Sequence, residues 1–261
     1  MDVDQLRAAF MITGTVHERI KQVREQLVSR IKGQDSLTLC GGPRIVLHMI
    51  PYESLDPARV LDLRPARSKN LNLLPVGQRN ISDLRFNFDG LLAVCTMPQA
   101  GKAPEVLGYT QVFRNGIIES VDASLLTRLR RMVVVAEDLP KVIPTLDVEP
   151  EMLMAFSRFF RTQQSIGVVP PVMVFVSLLG VRDYFLARDL RFVGISGHRF
   201  ERDDLMIPGV AVDSFNADRG IVFKPIFDIL WNAGGYERCL DYKETGELAI
   251  DESFFRSEIV I

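Results

Sequence analysis

The sequence has few of the residues from which metal centres and disulfide networks are built. Its 261 residues include three cysteines and three histidines, all far apart along the chain. No CxxC, HxH or HExxH motif is present, so the sequence predicts no metal site, no disulfide framework and no bound cofactor. Buried, reduced thiols are the simplest use of the three cysteines, and they fit a cytoplasmic location.

Long hydrophobic runs are also missing. The longest one, at residues 172–179, is far shorter than the roughly 20 residues that a membrane-spanning helix needs. The start of the chain mixes Asp2, Asp4 and Arg7 with apolar side chains, which is unlike a secretion signal. We therefore expect a protein with no membrane partner.

Neither sign of charge is in large excess, because the formal net charge is −2. Hydrophobic residues make up 47% of the chain and charged residues 25%, which are ordinary values for a globular protein. This balance excludes a protein whose whole surface binds a polyanion, yet it permits a local basic patch.

Catalytic motifs are the last absence. The phosphate-binding pattern GxxxxGK[ST] does not occur in the sequence. Asp89 precedes an apolar run, as in metal-dependent nucleases, but Gln111 and Phe113 stand where the next strand would need an acidic residue and a lysine. We predict no catalytic residue and a protein that is not an enzyme. One enzymatic alternative stays open, a site built from the acidic cluster Asp183, Glu201, Asp203 and Asp204.

The strongest positive signal is a β-hairpin at residues 108–120. Apolar-rich runs at residues 109–114 and 117–121 flank the dipeptide Asn115-Gly116. Both residues of this dipeptide tolerate a positive φ, so the sequence predicts two antiparallel strands joined by a type I′ turn.

Other segments predict a mixture of strands and helices. Apolar runs typical of strands occur at residues 44–50, 91–96 and 172–181. Helices are indicated by apolar spacing or by end signals at residues 15–32, 149–166 and 226–233. We predict an α+β fold in which a mostly antiparallel sheet packs with several amphipathic helices.

The predicted organisation has three segments. Residues 1–34 form an N-terminal helical segment, residues 35–145 a β-rich lobe, and residues 146–261 a mixed lobe. The prolines near residues 140–150 mark the boundary between the two lobes, which we expect to share one interface.

Basic residues concentrate in two places. The loop at residues 62–84 lacks clear periodicity, and the helix at residues 15–32 has a polar face rich in arginine. Solvated surface is one interpretation of these charges, and contact with nucleic acid is the other. The candidate nucleic-acid contacts are Arg64, Arg67, Lys69, Arg79, Arg19 and Arg24.

Three blocks carry a resemblance to a known group of proteins: RIVLHMIP at residues 44–51, VFRNGIIE at residues 112–119 and DILWNAGG at residues 228–235. Along nearly its whole length the chain is similar to the region that follows the N-terminal AlbA-type, Schlafen-like DNA-binding domain of certain bacterial proteins. The resemblance implies that residues 1–34 are the end of such a domain or a linker from it, with the rest of that domain missing here.

This resemblance transfers no catalytic residue to the chain. It implies a non-enzymatic accessory or interaction module that works beside a DNA-binding domain, in transcription regulation or defence. The expected partner is another protein or a separately encoded AlbA-type domain. Direct binding of nucleic acid through the basic loop and helix is one alternative, and an enzyme with an unrecognised site is the other.

Overall fold

A computed structural model gives the fold and describes residues 3–33, 37–127, 141–188 and 198–249. Its helices include α1 (Val3–Gly33), α2 (Arg64–Ser68), α3 (Thr145–Ser165) and α4 (Arg219–Ala233), with short 3-10 helices at Tyr52–Leu55 and Asn70–Leu73. The strands are β1 (Arg44–Pro51), β2 (Asp83–Phe86), β3 (Gly90–Gln99), β4 (Lys102–Phe113), β5 (Ile118–Asp122), β6 (Val142–Pro144), β7 (Val172–Leu179), β8 (Phe185–Ala187), β9 (Asp204–Met206) and β10 (Val210–Val212). None of the described helices combines the length and apolar content that crossing a membrane requires.

One antiparallel sheet organises these elements. Its strand order is β10-β7-β1-β5-β4-β3-β2, and β9 also pairs with β7. The pairings within this sheet are all antiparallel, whereas β6 and β8 form a separate parallel ladder. The predicted α+β class with a mostly antiparallel sheet is confirmed.

The two faces of the sheet are covered by different helices. Successive side chains of a strand point to opposite faces, and β1 shows the consequence. Leu47 packs in one cluster with Phe156 of α3 and Phe227 of α4, whereas Ile50 packs with Ile20 of α1. The sheet is therefore a middle layer, with α1 on one side and the α2–α3–α4 layer on the other.

The predicted hairpin is present, but its turn differs from the prediction. Phe113 N–H donates to Ile117 O at 2.8 Å, and Gly116 N–H donates to Phe113 O at 3.0 Å, so residues 114–116 form a three-residue loop. Gly116 has a φ of 90°, while Asn115 does not take a positive φ. The type I′ prediction is thus wrong. The loop has the pattern of a type I turn followed by one left-handed glycine.

β1 joins the two predicted lobes. It belongs to residues 35–145, and it pairs along its length with β7, which belongs to residues 146–261. Both strands are almost continuously apolar, as expected for central strands buried on both faces. The two segments therefore meet in a backbone ladder and share one hydrophobic core.

Candidate nucleic-acid interface

β2 lies at one end of the strand order, and this edge exposes two aromatic rings. Phe86, the last residue of β2, is 41% exposed, and Phe88, in the turn that follows, is 95% exposed. Single exposed apolar side chains are common on protein surfaces, but two large ones within three residues of each other make this edge a candidate interaction site.

The turn that carries Phe88 is braced by hydrogen bonds. Asn87 Oδ1 accepts the Gly90 N–H at 2.8 Å, and Asn87 N–H donates to Gly90 O at 2.9 Å. Arg114 adds two bonds across the hairpin, from Nε to Phe88 O at 3.1 Å and from Nη2 to Asn87 O at 3.2 Å. Only glycine fits at position 90, because a Cβ there would lie 2.1 Å from Val112 O. The backbone therefore holds the Phe88 ring outward.

Two cations contact the segment that carries the rings, Arg67 at Phe86 and Arg114 at the Phe88 backbone. We define the β2-edge surface as Phe86 and Phe88 with the charged residues Asp62, Arg64, Arg67, Lys69, Asp83, Arg85 and Arg114. Five cations and two carboxylates give this surface a formal charge of +3, in a chain whose net charge is −2. Asp62 and Asp83 pair with Arg64 and Arg85, so Arg67, Lys69 and Arg114 carry the excess positive charge of this surface.

Two of these arginines are placed by specific contacts. The Arg67 guanidinium carbon lies 5.3 Å from the centre of the Phe86 ring, which is cation–π geometry. Arg64 Nη2 donates to Asp62 Oδ2 at 2.7 Å, and its Nε donates to both carboxylate oxygens at 2.9 Å. This bonding lowers the pKa of Asp62 and raises the pKa of Arg64.

The structure separates the six predicted contact residues. Arg64, Arg67 and Lys69 come together on and beside α2, next to β2. Arg79 comes from the same loop, but its guanidinium pairs with the carboxylate of Glu151 on α3, a residue that is only 3% exposed.

The prediction that Arg24 contacts nucleic acid is wrong, because the side chain is buried. Arg19 and Arg24 both lie on α1, across the sheet from α2. Arg24 is 4% exposed, and burial lowers its pKa to about 10. Arg19 stays near the surface, where its Nη2 donates to Leu55 O at 3.2 Å.

A cleft of about 210 Å³ opens beside the β2-edge surface, between α1 and the sheet. Asn87 and Asp89, which flank Phe88, form part of its wall, and Arg30 of α1 reaches Asp89 at 3.3 Å. Gln111 of β4 lies deeper and exchanges hydrogen bonds with Asn87, the shorter at 2.7 Å. The cleft therefore combines charged, amide and apolar groups in one small space.

Glu119 of β5 is the buried carboxylate of this cleft. It is 5% exposed, and both of its oxygens accept hydrogen bonds from neighbouring strands. Tyr109 O–H donates to Oε1 at 2.7 Å, and His48 Nε2 lies 2.9 Å from Oε2. With Nε2–H as donor to Glu119, the other ring nitrogen of His48 is a buried acceptor that has no hydrogen-bond partner. Three strands thus fix the carboxylate.

No family profile, curated protein or solved structure matches this chain. The resemblance to the region after an AlbA-type domain accordingly stays a prediction. The function has to be inferred from the geometry of the described residues.

Two of the four residues in the acidic cluster proposed for an enzyme form ion pairs at the surface. Asp204 pairs with Lys32 of α1, and Asp183 pairs with Lys141 at 3.2 Å. Asp203 accepts the Val181 N–H through its backbone oxygen. These contacts tie neighbouring segments together, which is the ordinary use of surface charge.

A second group of ionisable side chains is buried between α3 and α4. Glu149, Cys239 and Asp241 offer ligand atoms that lie within 4.8 Å of one another, so these three residue types could hold a metal ion. Protein groups already bond them: Trp231 Nε1–H donates to Glu149 Oε1 at 2.7 Å, and Arg188 Nε–H donates to Asp241 Oδ1 at 2.9 Å.

Burial controls the protonation of this group. It raises the pKa of Glu149 to about 8, and the nearby Asp241 carboxylate adds to the rise. Burial also raises the pKa of Cys239 and of Asp241. Glu149 is therefore protonated at neutral pH, and a neutral carboxyl group belongs in a core.

Sequence reasoning missed Phe86, Phe88, Arg85 and Arg114 as surface contacts. The segment at residues 86–90 predicted only a strand end and a turn. The signal was the presence of two aromatic residues, Phe86 and Phe88, directly before the turn signal Asp89-Gly90. The exposure of these two rings could not be inferred from the sequence, because it depends on β2 being an edge strand.

Proposed function

We propose that this chain is an accessory module that binds single-stranded nucleic acid along the β2-edge surface. The observation that carries the proposal is Phe88, which is 95% exposed and held outward by a turn that Arg114 braces, with Arg67 over the nearby Phe86 ring. The resemblance to the region after an AlbA-type domain supports a role beside a DNA-binding domain.

The chemistry of the surface favours single strands over duplexes. Unpaired bases have free faces that stack on aromatic rings, each worth about 1–3 kcal/mol, and cations pair with the phosphates between them. Phe88 offers an open ring face, and the Arg67 guanidinium on Phe86 is a second planar group. In a duplex the base faces are already stacked, so the rings would add little.

Fluorescence anisotropy with labelled single-stranded DNA, single-stranded RNA and duplex DNA tests the proposal. We expect tighter binding of the single strands, with an affinity that falls as salt rises from about 50 to about 200 mM. Phe88→Ala combined with Arg67→Ala should abolish most of this binding. Comparing the DNA and RNA arms shows which sugar the surface prefers.

Residues for matched control substitutions lie at the other end of the sheet. One is on α4, which packs against β10, and the other is in the segment that follows α4. Ile221→Ala removes an apolar side chain that is 73% exposed, and Lys243→Ala removes an exposed cation that pairs with Glu247. Both variants should bind like the unmodified protein. Absence of binding to every oligonucleotide, or equal losses in the controls, would contradict the proposal.

A protein partner is the second candidate function, favoured by the backbone of β2. Among the described residues this strand pairs only with β3, so its outer edge could accept a strand from another protein. Size-exclusion chromatography with light scattering, with and without a separately produced AlbA-type domain, tests it. A stable complex supports this candidate, and two separate peaks count against it.

A further inference from the structure

The geometry points to a base-reading site: we propose that the cleft beside Phe88 accepts one unpaired guanine base, with Glu119 as its hydrogen-bond acceptor. This inference rests on the proposed binding of single strands. It adds a sequence preference that the stacking rings alone could not provide, because every base has a face that can stack.

The position of the cleft suits a base from a strand bound at the edge. Asn87 and Asp89 line the cleft and are the immediate neighbours of Phe88. A strand stacked on Phe88 would thus pass the mouth of the cleft. The volume of about 210 Å³ is below that of drug-sized ligand sites, so it suits a base rather than a whole nucleotide.

Glu119 has the right chemistry at the right depth. Tyr109 O–H donates to one oxygen and His48 Nε2 lies 2.9 Å from the other, which fixes the carboxylate in place. A carboxylate has about four acceptor sites, so two remain for a ligand. The carboxylate therefore offers acceptor sites to whatever enters the cleft.

Guanine is the base that matches two neighbouring acceptors. Its Watson–Crick edge carries two adjacent donors, N1–H and the N2 amino group. Adenine and cytosine each place a ring acceptor next to their single amino group, and uracil and thymine place carbonyl oxygens beside one N–H. Each of these bases would put an acceptor against the Glu119 carboxylate, which is repulsive.

The remaining walls are consistent with a purine. Leu37 and Leu92 give apolar surface for the ring, together with Phe113 at the end of β4. Arg30, held at the mouth by Asp89, supplies a donor for the guanine O6 atom. The paired amides of Asn87 and Gln111 keep the opening from collapsing onto Glu119.

Competition between oligonucleotides tests the preference. Thymidine oligomers that contain one central guanine, adenine or inosine should bind in the order guanine, inosine, adenine, with guanine about tenfold tighter than adenine. Inosine lacks the N2 amino group, so it isolates one of the two hydrogen bonds. Equal affinity for the three oligomers would overturn the proposal without touching the stacking surface.

Glu119→Gln gives the test on the protein side. The amide keeps the size of the side chain but replaces one acceptor with a donor, so the guanine preference should vanish while binding to plain thymidine oligomers persists. Arg30→Ala is a second variant, on exposed α1 surface, and should weaken the preference several-fold. A full guanine preference in both variants would overturn the assignment. Absence of binding to every oligomer by the unmodified protein would instead refute the single-strand proposal on which this inference rests.

Discussion

The two ends of the sheet each carry an arginine over a phenylalanine ring, in opposite surroundings. At the β7 end, the Arg24 guanidinium carbon lies 4.6 Å from the centre of the Phe175 ring and is buried under α1. At the β2 end, Arg67 lies 5.3 Å from the centre of Phe86 and is exposed. The Arg24–Phe175 pair stabilises the fold, whereas the Arg67–Phe86 pair is accessible to a ligand.

The difference comes from the backbone around each pair. Between β9 and β10 the ladder on β7 is interrupted, and Arg24 fills the gap. Its Nη1 donates to Ile207 O at 2.8 Å, and its Nη2 donates to Val176 O at 2.9 Å and to Ser177 Oγ at 2.8 Å. An arginine with three buried acceptors is a structural residue. Arg67 has no comparable set among its described contacts, so its charge is directed to the surface.

The largest expected effect is on stability, from Arg24→Ala. This change removes the guanidinium donor from three buried acceptors, of which Val176 O keeps only the Ile207 N–H at 3.2 Å. We expect the free energy of unfolding to fall by about 3 kcal/mol. Arg67→Ala should change it by less than about 0.5 kcal/mol, because its site is exposed. Urea unfolding of the two variants measures the contrast. Similar losses in both would show that the two pairs do not differ as described.

A pH titration extends the contrast between buried and exposed groups. The pKa of Glu149 is raised from 4.5 to about 8, so the folded protein keeps a proton that the unfolded chain releases above about pH 5. Stability should therefore fall as the pH rises from about 5 to about 8, by on the order of 3 kcal/mol, and then level off. Burial of Asp122, whose pKa is raised to about 6, adds to the lower part of this fall.

Glu149→Gln is the control for this titration. The amide oxygen can still accept the Trp231 N–H, and the side chain no longer titrates. Urea midpoints measured between about pH 5 and 9 should then be nearly flat above about pH 7, where Asp122 has finished titrating. A slope as steep as that of the unmodified protein would mean that Glu149 is not the group responsible.

Phe88→Ala should affect binding alone. Loss of one stacking platform is expected to weaken binding of single strands by about 1–3 kcal/mol, while the unfolding free energy changes by less than about 0.5 kcal/mol. Anisotropy and urea unfolding on the same preparation give both values. A stability loss larger than the binding loss would reveal packing by this ring that the structure does not contain.

The smallest effect is expected from Asp62→Asn. Asp62 neutralises Arg64 at the β2-edge surface, so its removal adds one net positive charge and frees the guanidinium. Affinity for single strands should rise about twofold at low salt, and the gain should disappear at high salt. Weaker binding in this variant would indicate that the Asp62–Arg64 pair orders the site instead.

Local signals were enough to predict the β4–β5 pairing and insufficient to predict its turn. Asn115-Gly116 located the β4–β5 hairpin, but the turn type depended on distant groups. Asn115 Nδ2 donates to Ser54 O at 3.2 Å, and a Cβ on Gly116 would lie 2.7 Å from Val168 Cγ2. Ser54 and Val168 are far from the turn in the sequence, so the sequence alone does not show that they lie beside it.

The basic residues also show that sequence spacing cannot predict long-range contacts. The spacing placed Arg19 and Arg24 together on the polar face of a helix. Only Arg24 is buried, because the interruption between β9 and β10 lies opposite it. Arg64 and Arg67 lie at the surface, as expected for residues of a basic surface loop. The aromatic rings beside which they could bind a ligand belong to β2 and the turn after it. The site arises from an edge strand, and strand order is a long-range property.

Cross-linking tests the central claim most directly. A single-stranded oligonucleotide carrying iodouracil, bound to the protein and irradiated, forms a covalent bond with an aromatic ring on which its base is stacked. We expect mass spectrometry to locate the adduct on Phe88 or Phe86, and Phe88→Ala to remove most of it. Adducts confined to α1, α3 or α4 would contradict the assignment of the β2 edge as the binding surface.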